Sequence, residues 1–156
     1  MKQLFLKKRG FSLVELIIII GMTAVIASIV LFSFRGFANY QLIEKEADVI
    51  QAFIDKSRIQ AISSKNFADF GVRFATTSIT LFQGSVYAAS TTNFTYNLPS
   101  GVQMSAISIT GGGTDIYFEN VTGEPNATGT ITYRLTNTAS TTKSIIIYGT
   151  GLSEVI

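Results

Sequence analysis

From Phe11 to Phe34 the chain reads FSLVELIIIIGMTAVIASIVLFSF, 24 residues in which Glu15 is the only charge. At about 1.5 Å per residue this run forms a helix of roughly 36 Å, enough to cross a hydrocarbon layer about 30 Å thick. No water-soluble domain is built around such an element unless something else covers it. Composition agrees: 47% of residues are apolar and only 14% charged, against about a quarter charged in ordinary globular chains.

Charge places the segment. Lys2, Lys7, Lys8 and Arg9 precede it and only Arg35 follows closely, so the positive-inside bias keeps the N-terminus in the cytoplasm and sends the rest outward. The formal +2 therefore describes a tail. Of the 12 Lys and Arg, four lie in the first ten residues, which leaves eight against 10 acidic residues downstream. That balance argues against a nucleic-acid groove. With no Cys and no His, thiol nucleophiles, Ser-His-Asp triads, the usual zinc sites and disulfide frameworks are excluded. No cofactor or catalytic residue is expected.

Three readings compete for the apolar run. A cleaved secretory signal has a core of roughly 7–15 residues and a small-residue cleavage site; this run is too long, and Ala24 to Ser28 is a weak match. A signal anchor fits the length but leaves Glu15 unexplained. A carboxylate among apolar residues costs about 2.5–3.5 kcal/mol near a helix centre, less toward an end, and calls for a partner. Cleavage after Gly10 would supply one, the α-amino group of Phe11. That amine is tied to its own helix and meets Glu15 easily only on a neighbouring copy shifted along the axis. The third reading is thus a staggered bundle of helices.

Lys7-Lys8-Arg9-Gly10-Phe11-Ser12-Leu13-Val14-Glu15-Leu16, followed by the apolar run, closely resembles the class III signal of type IV prepilins and pseudopilins. The resemblance implies that a prepilin peptidase cuts after Gly10, that Phe11 is N-methylated, and that Glu15 serves assembly. The implied partners are that peptidase, an inner-membrane assembly platform, and other pilins or pseudopilins in a helical filament. One departure is visible: these helices often carry proline near the position of Phe32, and its absence predicts a straighter helix. Gly21, Ala24 and Ser28, at helical spacing, would let neighbours approach closely, or are generic membrane composition.

After Arg35-Gly36 the pattern turns amphipathic. Ile43, Ala47, Ile50, Ile54, Ser57 and Ala61 alternate spacings of four and three, with Glu44, Lys45, Asp48, Asp55, Lys56 and Arg58 mostly elsewhere. The spacing predicts a helix from about Ala38 to Ser63, joined to the apolar one with Gly36 as a flexible point. Its stripe needs a cover. Alternating segments provide one: Phe70-Val72-Phe74, Phe94-Tyr96-Leu98, Val102-Met104-Ala106, Ile116-Phe118, Ile131-Tyr133-Leu135 and Ile145-Ile147. Gly111-Gly112-Gly113, which lacks the context of a phosphate loop, reads as a hairpin tip. Glu124-Pro125-Asn126 and Gly149-Thr150-Gly151 read as turns, and Ser90 to Asn93 and Thr138 to Thr142 as hairpin loops.

The expectation is an α+β, pilin-like chain, its long helix packed on an antiparallel β head of one or two layers. It divides into a cleaved leader (1–10), a transmembrane and assembly helix (11–35), the amphipathic half of the helix (36–65) and an exported head (66–156). Within the family, Ser57 to Ser64, Ile116-Tyr117-Phe118 with Gly123, Ile131-Thr132-Tyr133 and Ile145 to Gly151 resemble the GspH/FimT-like minor pseudopilins. This implies a minor, initiating or tip subunit of a type II secretion pseudopilus or type IV pilus; the alternative is a major pilin. From another class stands a non-polymerising, membrane-anchored, ligand-binding β domain, and third an anchored hydrolase using Asp115 and Glu119, which fall on one side of a regular strand. Asp115, Glu119 and Glu124 lack the dense ligand run of a calcium loop, and no metal site is expected.

Overall fold

The computed structural model describes residues 10–90, 92–137 and 141–156. Lys2, Lys7, Lys8 and Arg9, Thr91 of one predicted loop and residues 138–140 of the other lie outside the described residues. The chain divides into two units, Met1–Ala38, described from Gly10 onward, and Asn39–Ile156.

Helical hydrogen bonding runs unbroken over α1 (Leu13–Ile62). It passes through Phe32 without a proline and through Gly36, which is helical rather than a break. In the second unit, every member of the predicted stripe is buried: Ile43, Ile50, Ile54, Ser57 and Ala61 are 0% exposed and Ala47 1%. Each buried Ile contributes roughly 1.5–3 kcal/mol, so the stripe by itself fixes which side of the helix faces the sheets.

Those sheets are two, each four-stranded and antiparallel. The first has the order β3-β2-β1-β5, from β1 (Phe70–Ala75), β2 (Ser78–Gln83), β3 (Asn93–Asn97) and β5 (Asp115–Phe118). The second runs β4-β6-β7-β8, from β4 (Val102–Ile109), β6 (Gly129–Leu135), β7 (Thr142–Ile147) and β8 (Ser153–Val155). One core joins helix and both sheets, with Val72 and Phe74 from β1, Ile131 and Tyr133 from β6, and Ile145 from β7 against the helix stripe. The Met104 amide donates to the Thr76 carbonyl at 2.8 Å, tying β4 to the β1–β2 turn.

Strands β2 and β3 of the first sheet pair directly, as do β6 and β7 of the second. Gly111-Gly112-Gly113 is not a hairpin tip. It carries the chain from the second sheet to the first, with φ of 89°, 81° and 99° at the three residues, a path only glycine follows without strain. Glu124-Pro125-Asn126 makes the return crossing, and Asn126 lends its Oδ1 to the Tyr117 amide at 2.8 Å, satisfying a donor on the edge strand β5.

Three expectations about strand faces are corrected. Phe94 is 56% exposed, because β3 is an edge strand and its ring stacks on Phe53 of the helix, with centroids 5.8 Å apart, instead of entering the core. Leu98 is buried but lies past the end of β3. A bulge between Met104 and Ala106 breaks the alternation of β4 and turns Ala106 outward.

Candidate functional site

The predicted assembly residues open the first unit. Gly10 and Phe11 precede the helix; the Ser12 carbonyl accepts from the Leu16 amide at 3.2 Å, so α1 begins immediately after it. Glu15 sits in the first turn, where the positive end of the helix dipole favours a carboxylate. It is exposed and, among the described residues, forms no ion pair. The apolar run beyond it, whose strongest stretch has a mean hydropathy of 2.7, buries nothing. Phe11 is 76% exposed, Ile29 66% and Phe32 81%. Two hydroxyls within the run are satisfied by the helix itself: Thr23 Oγ1 donates to the Ile19 carbonyl and Ser28 Oγ to that of Val25, both at 2.7 Å. The segment is therefore prepared for an apolar surrounding, lipid or another helix, with Glu15 as its one unanswered charge.

In the second unit, α1 carries three parallel seams. The middle one is the apolar stripe. One position onward, at spacings of seven, four and three, lie Glu44, Gln51, Asp55 and Arg58; the charge pattern of the sequence places Glu44, Asp55 and Arg58 off the stripe and does not single out Gln51. All reach the second sheet or its loops. Glu44 pairs with Lys143 of β7 at 2.6 Å. Gln51 Nε2 donates to the Ser153 carbonyl at 3.1 Å, and Ser153 Oγ donates to Asp55 at 3.2 Å. Hydrogen bonds from Lys143 and then Tyr40 hold the Glu44 carboxyl below its ordinary range.

Arg58 closes this seam. Its Nε donates to the Gly123 carbonyl at 3.3 Å and its Nη2 to that of Thr150 at 3.2 Å, bridging two loops that are 27 residues apart in sequence. Gly151 has a φ of 78°, and a Cβ there would stand 2.5 Å from the Gly123 carbonyl and 2.6 Å from Arg58 Nε. At Gly123, with φ 65°, a Cβ would meet Ile62 at 2.4 Å. The Val121 amide donates to Ala61 at 3.0 Å and so satisfies a carbonyl at the helix end. The dispersed residues Arg58, Gly123 and Gly151 thus form one clamp fastening both loops to the end of α1.

The opposite seam was missed in the sequence. Glu46 is 2% exposed and accepts from the Tyr96 hydroxyl at 3.1 and 3.3 Å. Burial, and then the Glu46 carboxylate, raise the Tyr96 phenol above its usual range. Phe53, seven residues on, touches Tyr96 and Phe94, and Lys56 Nζ sits 5.2 Å above the Phe94 ring. Only the 46–53 spacing against an aromatic strand hinted at it.

Asp115 and Glu119 do not share one regular strand. Asp115 is in β5 opposite Arg73, but β5 ends at Phe118, so Glu119 turns into the following loop and strand alternation no longer sets its direction. Its amide instead donates to the Glu124 carbonyl at 2.9 Å. Among the described residues, no three carboxylates converge where they could hold a metal ion.

No protein-family model and no curated relative matches the chain. Solved structures do. The minor pseudopilin EpsH of the type 2 secretion system of Vibrio cholerae superimposes with a TM-score of 0.57 at 15% identity, over 73% of this chain and 95% of that one. The type IV minor pilin FimU of Pseudomonas aeruginosa gives 0.60 at 8% identity, over 77% and 92%. A second EpsH structure gives 0.54 at 14% identity, over 74% and 94%. At such identities what is shared is the fold: one long helix on antiparallel sheets, as in minor pseudopilins and minor pilins.

Proposed function

We propose that the chain is a non-enzymatic subunit of a pilus-like or pseudopilus filament, made as a prepilin with residues 1–10 as leader. Prepilin peptidase cuts after Gly10, Phe11 is N-methylated, and residues 11–35 hold the subunit in the cytoplasmic membrane with the head outside until an assembly platform draws it into the filament. Residues 36–65 present the head, 66–156. One observation carries the reading: an apolar helix with nothing buried and one unanswered carboxylate is joined to a head with the minor pilin fold. Fold does not fix function by itself. Here the signal around Gly10 and the fold of the head, which share no residues, point to one assembly.

In the filament, lateral burial of the apolar helices supplies cohesion, while Glu15 against a neighbour's Phe11 amine sets the register. A minor role is supported by the likeness of the head to EpsH and FimU, both minor subunits. Glu15→Ala is expected to be cleaved like the native chain and to fall at least tenfold in filament incorporation, measured by immunoblot of sheared filaments against membranes. Incorporation at native level would contradict the role of Glu15. A dominant band of this chain in purified filaments would contradict the minor role.

A further inference from the structure

The outer face of the second sheet carries a depression of about 450 Å³ at the far ends of β4, β6 and β7. Register fixes its floor. Ser108 lies opposite Thr130, and Thr130 opposite Ile146. Just past the strand ends Thr110 lies beside Thr128, its amide donating to the Thr128 carbonyl at 2.8 Å, and Tyr148 follows Ile147, the partner of Gly129. A cross-strand row of three and a row of two result, with neighbours about 4.8 Å apart across strands and rows about 6.6 Å apart. Ser108 stands on β4 and Thr130 on β6, with Thr110 and Thr128 one residue past the strand ends and their hydroxyls sharing a hydrogen bond at 2.9 Å; Ile146 and Tyr148 make an apolar ledge beside them. Gly129 lies between the rows, where a Cβ would be 2.7 Å from the Ser108 carbonyl, so the close approach of β4 and β6 under the depression depends on it.

The chemistry of this face is selective. No Lys, Arg, Asp or Glu lines it, so nothing answers a phosphate or carboxylate. Hydroxyls that donate and accept suit a ligand rich in hydroxyls. Tyr148 as a whole residue is 41% exposed, and its OH donates to Glu154 at 2.8 Å, which leaves the phenol oxygen free to accept. An aromatic face beside hydroxyl groups matches the two surfaces of a pyranose, its C–H face and its hydroxyl rim. We propose that this face of the head binds a neutral saccharide, with Tyr148 stacking on a sugar ring and Thr128 and Thr130 hydrogen-bonding its hydroxyls. The site is independent of the assembly helix and stands whether or not the chain polymerises.

Calorimetric titration of the full chain tests this, in dodecylphosphocholine micelles because maltoside detergents present a sugar headgroup. The probes are cellotetraose, maltotetraose and chitotetraose, with trigalacturonate as the charged comparison. At least one neutral tetramer is expected to saturate with a Kd of about 0.1–1 mM, the range of a small open site. Tyr148→Ala should weaken it at least tenfold and Thr130→Val about threefold. Phe94→Ala on the other sheet should leave it unchanged, and melting curves check that each variant is folded. Absence of saturable heat with all three tetramers up to about 10 mM, equal binding of trigalacturonate, or full binding by folded Tyr148→Ala overturns the proposal.

Discussion

Replacing Arg58 with Met keeps the aliphatic stem against the helix end while stripping the Gly123 and Thr150 carbonyls of their donor. Because the site is only half-buried, the expected loss is about 1–2 kcal/mol, read from denaturant unfolding of the full chain in micelles. Gly151→Ala attacks the same clamp from the other side, through both its φ of 78° and the 2.5 Å approach to Gly123, and should cost at least as much. Two residues point the opposite way. Val121 holds a β-branched side chain at φ 72°, so Val121→Gly is expected to gain about 0.5–1 kcal/mol, left-handed strain outweighing the entropy of an added glycine. The Tyr133 hydroxyl is buried without a partner among the described residues, and Tyr133→Phe should gain about 1 kcal/mol in the same assay. Native-like stability in Arg58→Met, or a loss in Tyr133→Phe, would refute these readings of the two sites.

At the scale of the element, α1 was the most legible part of the sequence because burial imposes a period. Ile43, Ala47, Ile50, Ile54, Ser57 and Ala61 could be read as one stripe, and all six are buried. Truncating its middle, Ile50→Ala, should cost about 2–5 kcal/mol; a loss under about 1 kcal/mol would mean that the stripe is not the helix's principal contact. The strands were legible where large apolar residues alternate with small or polar ones along the whole strand, as in β1, β6 and β7. β2 escaped because it has no such contrast. Ile79 and Leu81 face the core, while Phe82 on the other side is sealed by Tyr87, 5.6 Å away, and lies over Gly71, where a Cβ would strike its ring. At three residues, β8 is too short to show a period. The clamp was visible only as scattered letters, since nothing local to Arg58, Gly123 or Gly151 announces that 92 residues of intervening chain return to the helix end. Glu46 was hidden for a related reason: its partner, Tyr96, comes from a strand 50 residues away.

Across the whole molecule, pH should erode stability from both ends. The folded Glu44 carboxyl lies below its ordinary 4.5, so its contribution is present above pH 4.5 and is lost as pH falls through the folded value. Burial raises the Tyr133 phenol above its ordinary 10, so it leaves stability independent of pH below pH 10 and lowers it as pH climbs beyond, where the unfolded chain ionises first. A series of melting temperatures should show the acid limb flattened by Glu44→Gln and the alkaline limb by Tyr133→Phe, with Tyr133→Phe leaving the acid limb in place; Glu44→Gln also removes a charge that helps to raise the Tyr133 phenol. Unchanged limbs in both variants would refute the assignment.

The same scale holds the central claim, that an apolar helix exposed along its length is a packing element awaiting neighbours. The proposed processing after Gly10 would give its acid a counter-charge, the new terminal amine. The intact mass of the chain, purified from cells with an active prepilin peptidase, tests this most directly. The account predicts a mass lacking Met1 to Gly10 and carrying one added methyl group. A polypeptide that still begins at Met1 would contradict it.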